Sequence, residues 1–103
     1  MGNEQLIARM AAAFLKTLPA SLAAIREAVR GRDAEKLRVA AHTLKGAASS
    51  LYAGGVSAAA LALETIGRSG ALDGADRALE SLDRENEHLT GALQRLLHDS
   101  IPT

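Results

Sequence analysis

Apolar residues recur three and four apart through most of this chain, the spacing that gives a helix one buried face. The first such segment runs from about Glu4 to Lys16, with Leu6, Met10, Ala13 and Phe14 on one side. The phase then shifts at "KTLPAS". Pro19 lacks an amide donor and disfavours the helical conformation at Leu18, so a kink or a restart is expected there. A second segment, about Pro19 to Arg30, follows, and Leu15, Leu18, Leu22, Ile25 and Val29 keep the new spacing.

"RGRD" closes that segment. Gly31 suits the left-handed position after a helix, and Asp33 can cap the next one by accepting from its free amides. The third segment spans about Ala34 to Tyr52, with Leu37, Ala41, Leu44, Ala48 and Leu51 as its stripe; "AGG" (Ala53 to Gly55) breaks it. The fourth spans about Val56 to Arg68, with Val56, Ala60, Leu63 and either Ile66 or Gly67 inward. The fifth, about Ala75 to His98, has the most regular seam: Leu72, Ala75, Leu79, Leu82, Asn86, Leu89, Leu93 and Leu96. Asn86 on that seam and Gly91 within the helix weaken it. The tail "IPT" is expected to fray. Short connections favour antiparallel neighbours. The expected fold is all-α, an antiparallel up-and-down four-helix bundle with an additional N-terminal helical segment, forming one domain over residues 1–103.

Composition sharpens this picture. Aromatic residues make up 2% of the 103, so the core is aliphatic, built from leucine and alanine as a helical bundle permits. Twelve basic and twelve acidic residues cancel, and no basic stripe suggests a nucleic-acid partner. The absence of cysteine excludes disulfides, thiol catalysis and thiolate metal sites. No apolar run approaches the roughly 20 residues needed to cross a bilayer. "MGNEQL" lacks the features of a signal peptide and has Leu6 where a myristoylation signal wants Ser or Thr. A cytoplasmic location is expected.

The third segment carries the candidate chemistry, in "AAHTLKGAASSL" (Ala40 to Leu51). Residues three and four apart on a helix are neighbours. Arg38 therefore lies one turn before His42, Lys45 and Gly46 one turn after, and Ser49 two turns after. His42 is rotated about 100° from the buried Ala41, which turns its imidazole to solvent. Gly46 presents no side chain to whatever approaches, at a helix cost of roughly 1 kcal/mol relative to alanine. A neutral imidazole near pH 7 has a free ring nitrogen that can attack phosphorus. Phosphoryl transfer needs mainly positioning and charge stabilisation, and Lys45 is a flexible cation within reach, with Arg38 on the other side. Taken singly, each of these residues reads as an ordinary surface position: a solvated histidine, a solubilising lysine, a glycine that lets helices pack. Their order on one face is what points to a site.

"AHTLKGAASSL" closely resembles the signature of histidine phosphotransfer domains, His-x-Leu-Lys-Gly, with His42, Leu44, Lys45 and Gly46 in the matching places after Ala41. "FLKTLP" (Phe14 to Pro19), "RGRDAEKLRVAAH" and "ALALETIGRSG", with its Leu63-Glu64 pair, are similar to the flanking layout, so the likeness covers about Phe14 to Leu97. The resemblance implies that His42 is the phosphoacceptor through Nε2. It implies that phosphate comes from a receiver-domain aspartate and leaves to another, that Lys45 steadies the phosphoryl group, and that Gly46 gives access. Leu44 is then structural. The implied partners are response-regulator receivers and a hybrid histidine kinase. No cofactor is implied here, magnesium belonging to the receiver, and the protein is expected to be a monomer with no kinase or ATP-binding activity of its own.

One departure is Tyr52-Ala53, where the family often has Gly-Ala; Tyr52 is read here as covering the end of the bundle. The receiver is expected on the exposed flank of the third segment and the helix before it, at Arg38, Ala47, Ser49 and Ser50.

Other readings fit less well. A sensor-kinase dimerisation domain typically has an acidic residue after the histidine and a proline soon after; here Thr43 follows, and the next proline is Pro102. A phosphoacceptor domain detached from a hybrid or chemotaxis-type kinase and a non-phosphorylated helical adaptor stay open as alternatives. "ENEH" (Glu85 to His88) spells half of a bundle metal motif once, off the seam, and is read as solvated. No basic amphipathic face suggests membrane-surface binding, and so small a bundle leaves little room for an acid-base pocket.

Overall fold

The computed structural model describes residues 2–100. Four helices run in the order α1 (Gly2–Arg30), α2 (Ala34–Ser50), α3 (Gly54–Ser69) and α4 (Ala75–Ser100), with no strand among the described residues. Each helix packs on its neighbours in sequence, and α1 closes the ring against α4. The result is the expected up-and-down bundle. The fraying expected for Ile101 to Thr103 lies outside the described residues.

The break expected at Pro19 is absent. The first two segments form one continuous helix, α1, with Pro19 inside it. The additional N-terminal segment is thus the first half of α1. Proline removes only the bond from its own nitrogen to the Leu15 carbonyl, and its ring is exposed. Phe14 and Leu18 before it and Ile25, Ala28 and Val29 after it enter the same core, and this burial offsets a proline cost of about 3 kcal/mol. Joining the two segments has a second effect. By length and composition alone, Glu4–Arg30 is now long and apolar enough to cross a membrane. It carries charges at Arg9 and Lys16, and Ala11, Phe14, Leu18, Ile25, Ala28 and Val29 are its buried stripe.

The stripe of α2 is as expected: Leu37, Ala41, Leu44 and Ala48 are buried. On α3, Val56, Ala60, Leu63 and Gly67 point inward, and Ile66 is partly buried beside them. At the far end the burial differs from the sequence pattern. Ala11 is buried where Ala13 was expected, Leu6 is exposed, and Leu97 rather than Leu96 packs against the core. Helices α1 and α4 have 29 and 26 residues against 17 and 16 for α2 and α3. Where they outrun the shorter pair, each has only the other as cover, so the buried face turns toward that single neighbour. Asn86 is buried on the α4 seam, and neither atom of its amide has a hydrogen-bond partner among the described residues. Such an orphaned group costs roughly 1–3 kcal/mol.

The connections are tight. At the end of α1 the Asp33 amide donates to the Ala28 carbonyl and Arg32 to Val29, a Schellman closure. The left-handed residue there is Arg32 (φ 55°), not Gly31. Asp33 caps α2 as expected, accepting from the Lys36 amide at 3.0 Å. The end of α2 repeats the closure two residues earlier than the pattern suggested: Ala53 donates to Ala48, Tyr52 to Ser49, and Tyr52 takes the left-handed position (φ 56°). This turn throws the Tyr52 side chain outward, where it is 96% exposed. The expectation that Tyr52 covers the bundle end is therefore wrong.

Candidate functional site

The antiparallel pair α2 and α3 builds the site. Its two backbones approach closely because Gly67 faces the first turns of α2. A Cβ at residue 67 would lie 2.7 Å from the Arg38 nitrogen and 2.8 Å from the Ala34 carbonyl oxygen. This approach brings Glu64, one turn before Gly67, beneath His42.

Glu64, noted in the sequence only as part of the Leu63-Glu64 pair, was given no place in the site there. Its side chain is 2% exposed, yet it carries a carboxylate. His42 Nδ1 lies 3.2 Å from Glu64 Oε2. Arg68, one turn on along α3, donates to the same oxygen at 2.8 Å. Lys45 Nζ sits 2.7 Å from the other oxygen, Oε1. This last contact is an ion pair rather than an aligned hydrogen bond, and Oε1 has no aligned donor. The Lys45 ammonium first, and then the His42 ring, hold the Glu64 carboxyl below its ordinary 4.5 against the opposing effect of burial. A signal for Glu64 did exist in the sequence. It stands among Ala60, Leu63 and Gly67 on the inward side of α3, four residues before an arginine.

An ionised carboxylate only accepts hydrogen bonds. The His42–Glu64 contact therefore assigns the ring proton to Nδ1 and leaves the lone pair on Nε2. The His42 side chain is 62% exposed, so that nitrogen is open to a partner. The remaining sequence candidates fall into place unevenly. Lys45 is at the site but half-buried and committed to Glu64. Arg38 is turned away, paired through Nε and a terminal nitrogen with Glu35 on its own helix. Ser49 is 2.9 Å from Ser57 at the start of α3, Ser50 donates to the Gly46 carbonyl, and Ala47 is exposed. None of these four touches the His42 ring in any recorded contact.

Gly46 is exposed, and a Cβ there would meet nothing within 4 Å. No packing inside the molecule requires glycine at this position, unlike Gly67. Gly46→Ala is thus expected to raise stability by about 1 kcal/mol, seen as a higher urea midpoint.

Among the described residues, no three of His, Asp and Glu converge as metal ligands; in "ENEH" the Glu85 carboxylate lies against Gly55 of α3 and His88 is exposed.

The molecule is thus a four-helix bundle with one imidazole at its surface, over a buried carboxylate and two cations. The chain is a member of the Hpt domain family, whose model matches residues 9–99. That membership gives it a histidine phosphotransfer role in two-component systems; such domains are carriers rather than kinases and typically interact with receiver domains and kinases. No curated protein and no solved structure matches the chain significantly.

Proposed function

We propose that this domain is a phosphorelay intermediate that takes a phosphoryl group from a receiver-domain aspartate onto His42 Nε2 and returns it to another receiver. The observation that carries this reading is the His42 ring, fixed through Nδ1 on buried Glu64 with its other nitrogen exposed. In the forward step the Nε2 lone pair attacks phosphorus, the phosphorus–nitrogen bond forms, and the acyl phosphate's phosphorus–oxygen bond breaks. The receiver aspartate leaves as a carboxylate. The ring carries a positive charge after attack, and its Nδ1 proton remains hydrogen-bonded to Glu64, whose negative charge offsets it. Return of the group reverses these steps.

The chain supplies the nucleophile and its orientation; the resemblance assigns the magnesium ion and the acidic pocket to the receiver, and the domain has no need of an ATP site or a cofactor of its own. A groove between α1 and α2, lined by Ala20, Ala24, Val39, Ala40 and Thr43, runs beside the helix that bears His42. It supports receiver docking across α2 and α1, with Gly46, Ala47 and Ser50 on the open flank; Arg38 and Ser49 would form the rim. A cytoplasmic monomer serving a hybrid kinase and its response regulators fits this scheme.

The test is transfer of label from a radiolabelled phospho-receiver, with magnesium, to the wild-type domain and to His42→Gln. Acid-labile, base-stable label on the wild type, absent from the variant, is the expected result. Label that persists in His42→Gln would place the acceptor elsewhere. No transfer from several competent receivers would favour a non-phosphorylated adaptor.

A further inference from the structure

Two cations flank Glu64, and they differ in what their departure would cost. Lys45 is the sole recorded partner of Oε1, which is buried, and its own side chain is only 27% exposed. Were Lys45 to swing toward a phosphoryl group on His42, Oε1 would be left buried and unpaired, an expensive state for a charged oxygen. Arg68 is placed differently. It shares Oε2 with His42 Nδ1, so that oxygen keeps a donor when Arg68 leaves. Its side chain is 63% exposed, with a planar fork of donors suited to phosphoryl oxygens.

We propose that Arg68 is the cation that moves to the phosphoryl group once His42 is phosphorylated, while Lys45 stays behind as a positioning residue for Glu64. This inference rests on phosphorylation of His42. The charges favour the exchange: a carboxylate facing two cations leaves a positive excess, and the phosphoryl group brings negative charge to the ring's other side. Arg68 starts from the oxygen that holds the ring, and its exposed side chain is long enough to turn toward the ring's other side. Its role includes no bond-making step; it neutralises the group that has arrived.

The test needs no receiver. In a His88→Gln/His98→Gln background, His42 is the single histidine, and potassium phosphoramidate can phosphorylate it chemically. The second ionisation of the phosphoryl group is then followed by ³¹P NMR as pH is varied. A contacting cation favours the dianion, so Arg68→Gln is expected to raise the midpoint by about half a unit. Arg68→Lys should restore part of the difference, and Lys45→Gln should move it less than Arg68→Gln does. The arginine Nε–H resonance of residue 68 should also shift on phosphorylation. A midpoint that follows Lys45→Gln and ignores Arg68→Gln would overturn the proposal, as would one that ignores both. Failure of phosphoramidate to give any phosphohistidine would instead strike at His42 as an accessible acceptor, and so at the relay reading itself. Urea midpoints of the variants separate these effects from loss of fold.

Discussion

Replacing Glu64 with glutamine is expected to slow phosphoryl uptake by roughly 10–100-fold while leaving the helical bundle assembled, as losses of orienting partners commonly do. A carboxylate only accepts, so it fixes the proton of His42 on Nδ1. A glutamine amide can accept or donate. When it donates, the proton moves to Nε2, and the nitrogen that faces the partner loses its lone pair. The measurement pairs the rate of transfer from a phospho-receiver with the ¹⁵N NMR signature of the His42 tautomer. A rate that falls while the tautomer stays unchanged would mean that Glu64 acts by charge alone. An unchanged rate would remove it from the mechanism.

The same variant makes a statement about pH. The Glu64 carboxyl titrates below its ordinary 4.5 in the folded protein, held there by Lys45 and then His42. A group lowered on folding contributes stability that is fully present above the unfolded value and is lost as pH falls through the folded one. The wild-type urea midpoint should therefore drop as pH is taken below about 4.5, and Glu64→Gln should lack that component of the drop. The other charged groups facing Glu64 are Lys45 and His42 from α2 and Arg68 from α3.

Gly67→Ala is the second large effect, on stability. The atoms a methyl group would meet belong to the backbone of α2, the Arg38 nitrogen and the Ala34 carbonyl oxygen. Neither can step aside as a flexible side chain would. The two helices must separate, at a cost that outweighs the roughly 1 kcal/mol alanine gains in a helix. A net loss of about 2 kcal/mol is expected, lowering Tm by roughly 8–16 °C for a domain of this size. Because Glu64 lies one turn away, the His42 contact should loosen as well. Calorimetry that shows no loss would mean that the close approach of α2 and α3 is not required. One substitution type thus has opposite signs at two glycines of the same site: stabilising at Gly46, where nothing is near, and destabilising at Gly67.

The stripes of α2 and α3 were legible because, Glu64 apart, every buried position there is apolar or small. Leu37, Ala41, Leu44 and Ala48 could be read from spacing alone. Pro19 misled because a local rule about one amide was set against burial on both sides of it, and burial prevailed. The end of the α4 seam was misread for a related reason. Spacing shows that a helix has an apolar face but not how many neighbours share it, so Leu96 and Leu97 could not be told apart without knowing that α2 and α3 stop short. The half of the site on α2, His42 with Lys45 and Gly46, was visible as a cluster on one helix. The half on α3 was not. Glu64 and Arg68 lie on another helix, and only the turn at Leu51 to Ala53 determines that they meet His42. A buried glutamate next to a leucine looks like a boundary residue until its partners are in place.

His42, Lys45, Glu64 and Arg68 all belong to α2 and α3, which one short turn joins. The site is therefore a property of a single helical hairpin, closed by contacts near in sequence. Such contacts form early and cheaply in folding because they enclose little chain. The far ends of α1 and α4 make none of these contacts. Variation in the outer pair is then free to adjust lifetime and neighbours, while the inner pair keeps the chemistry.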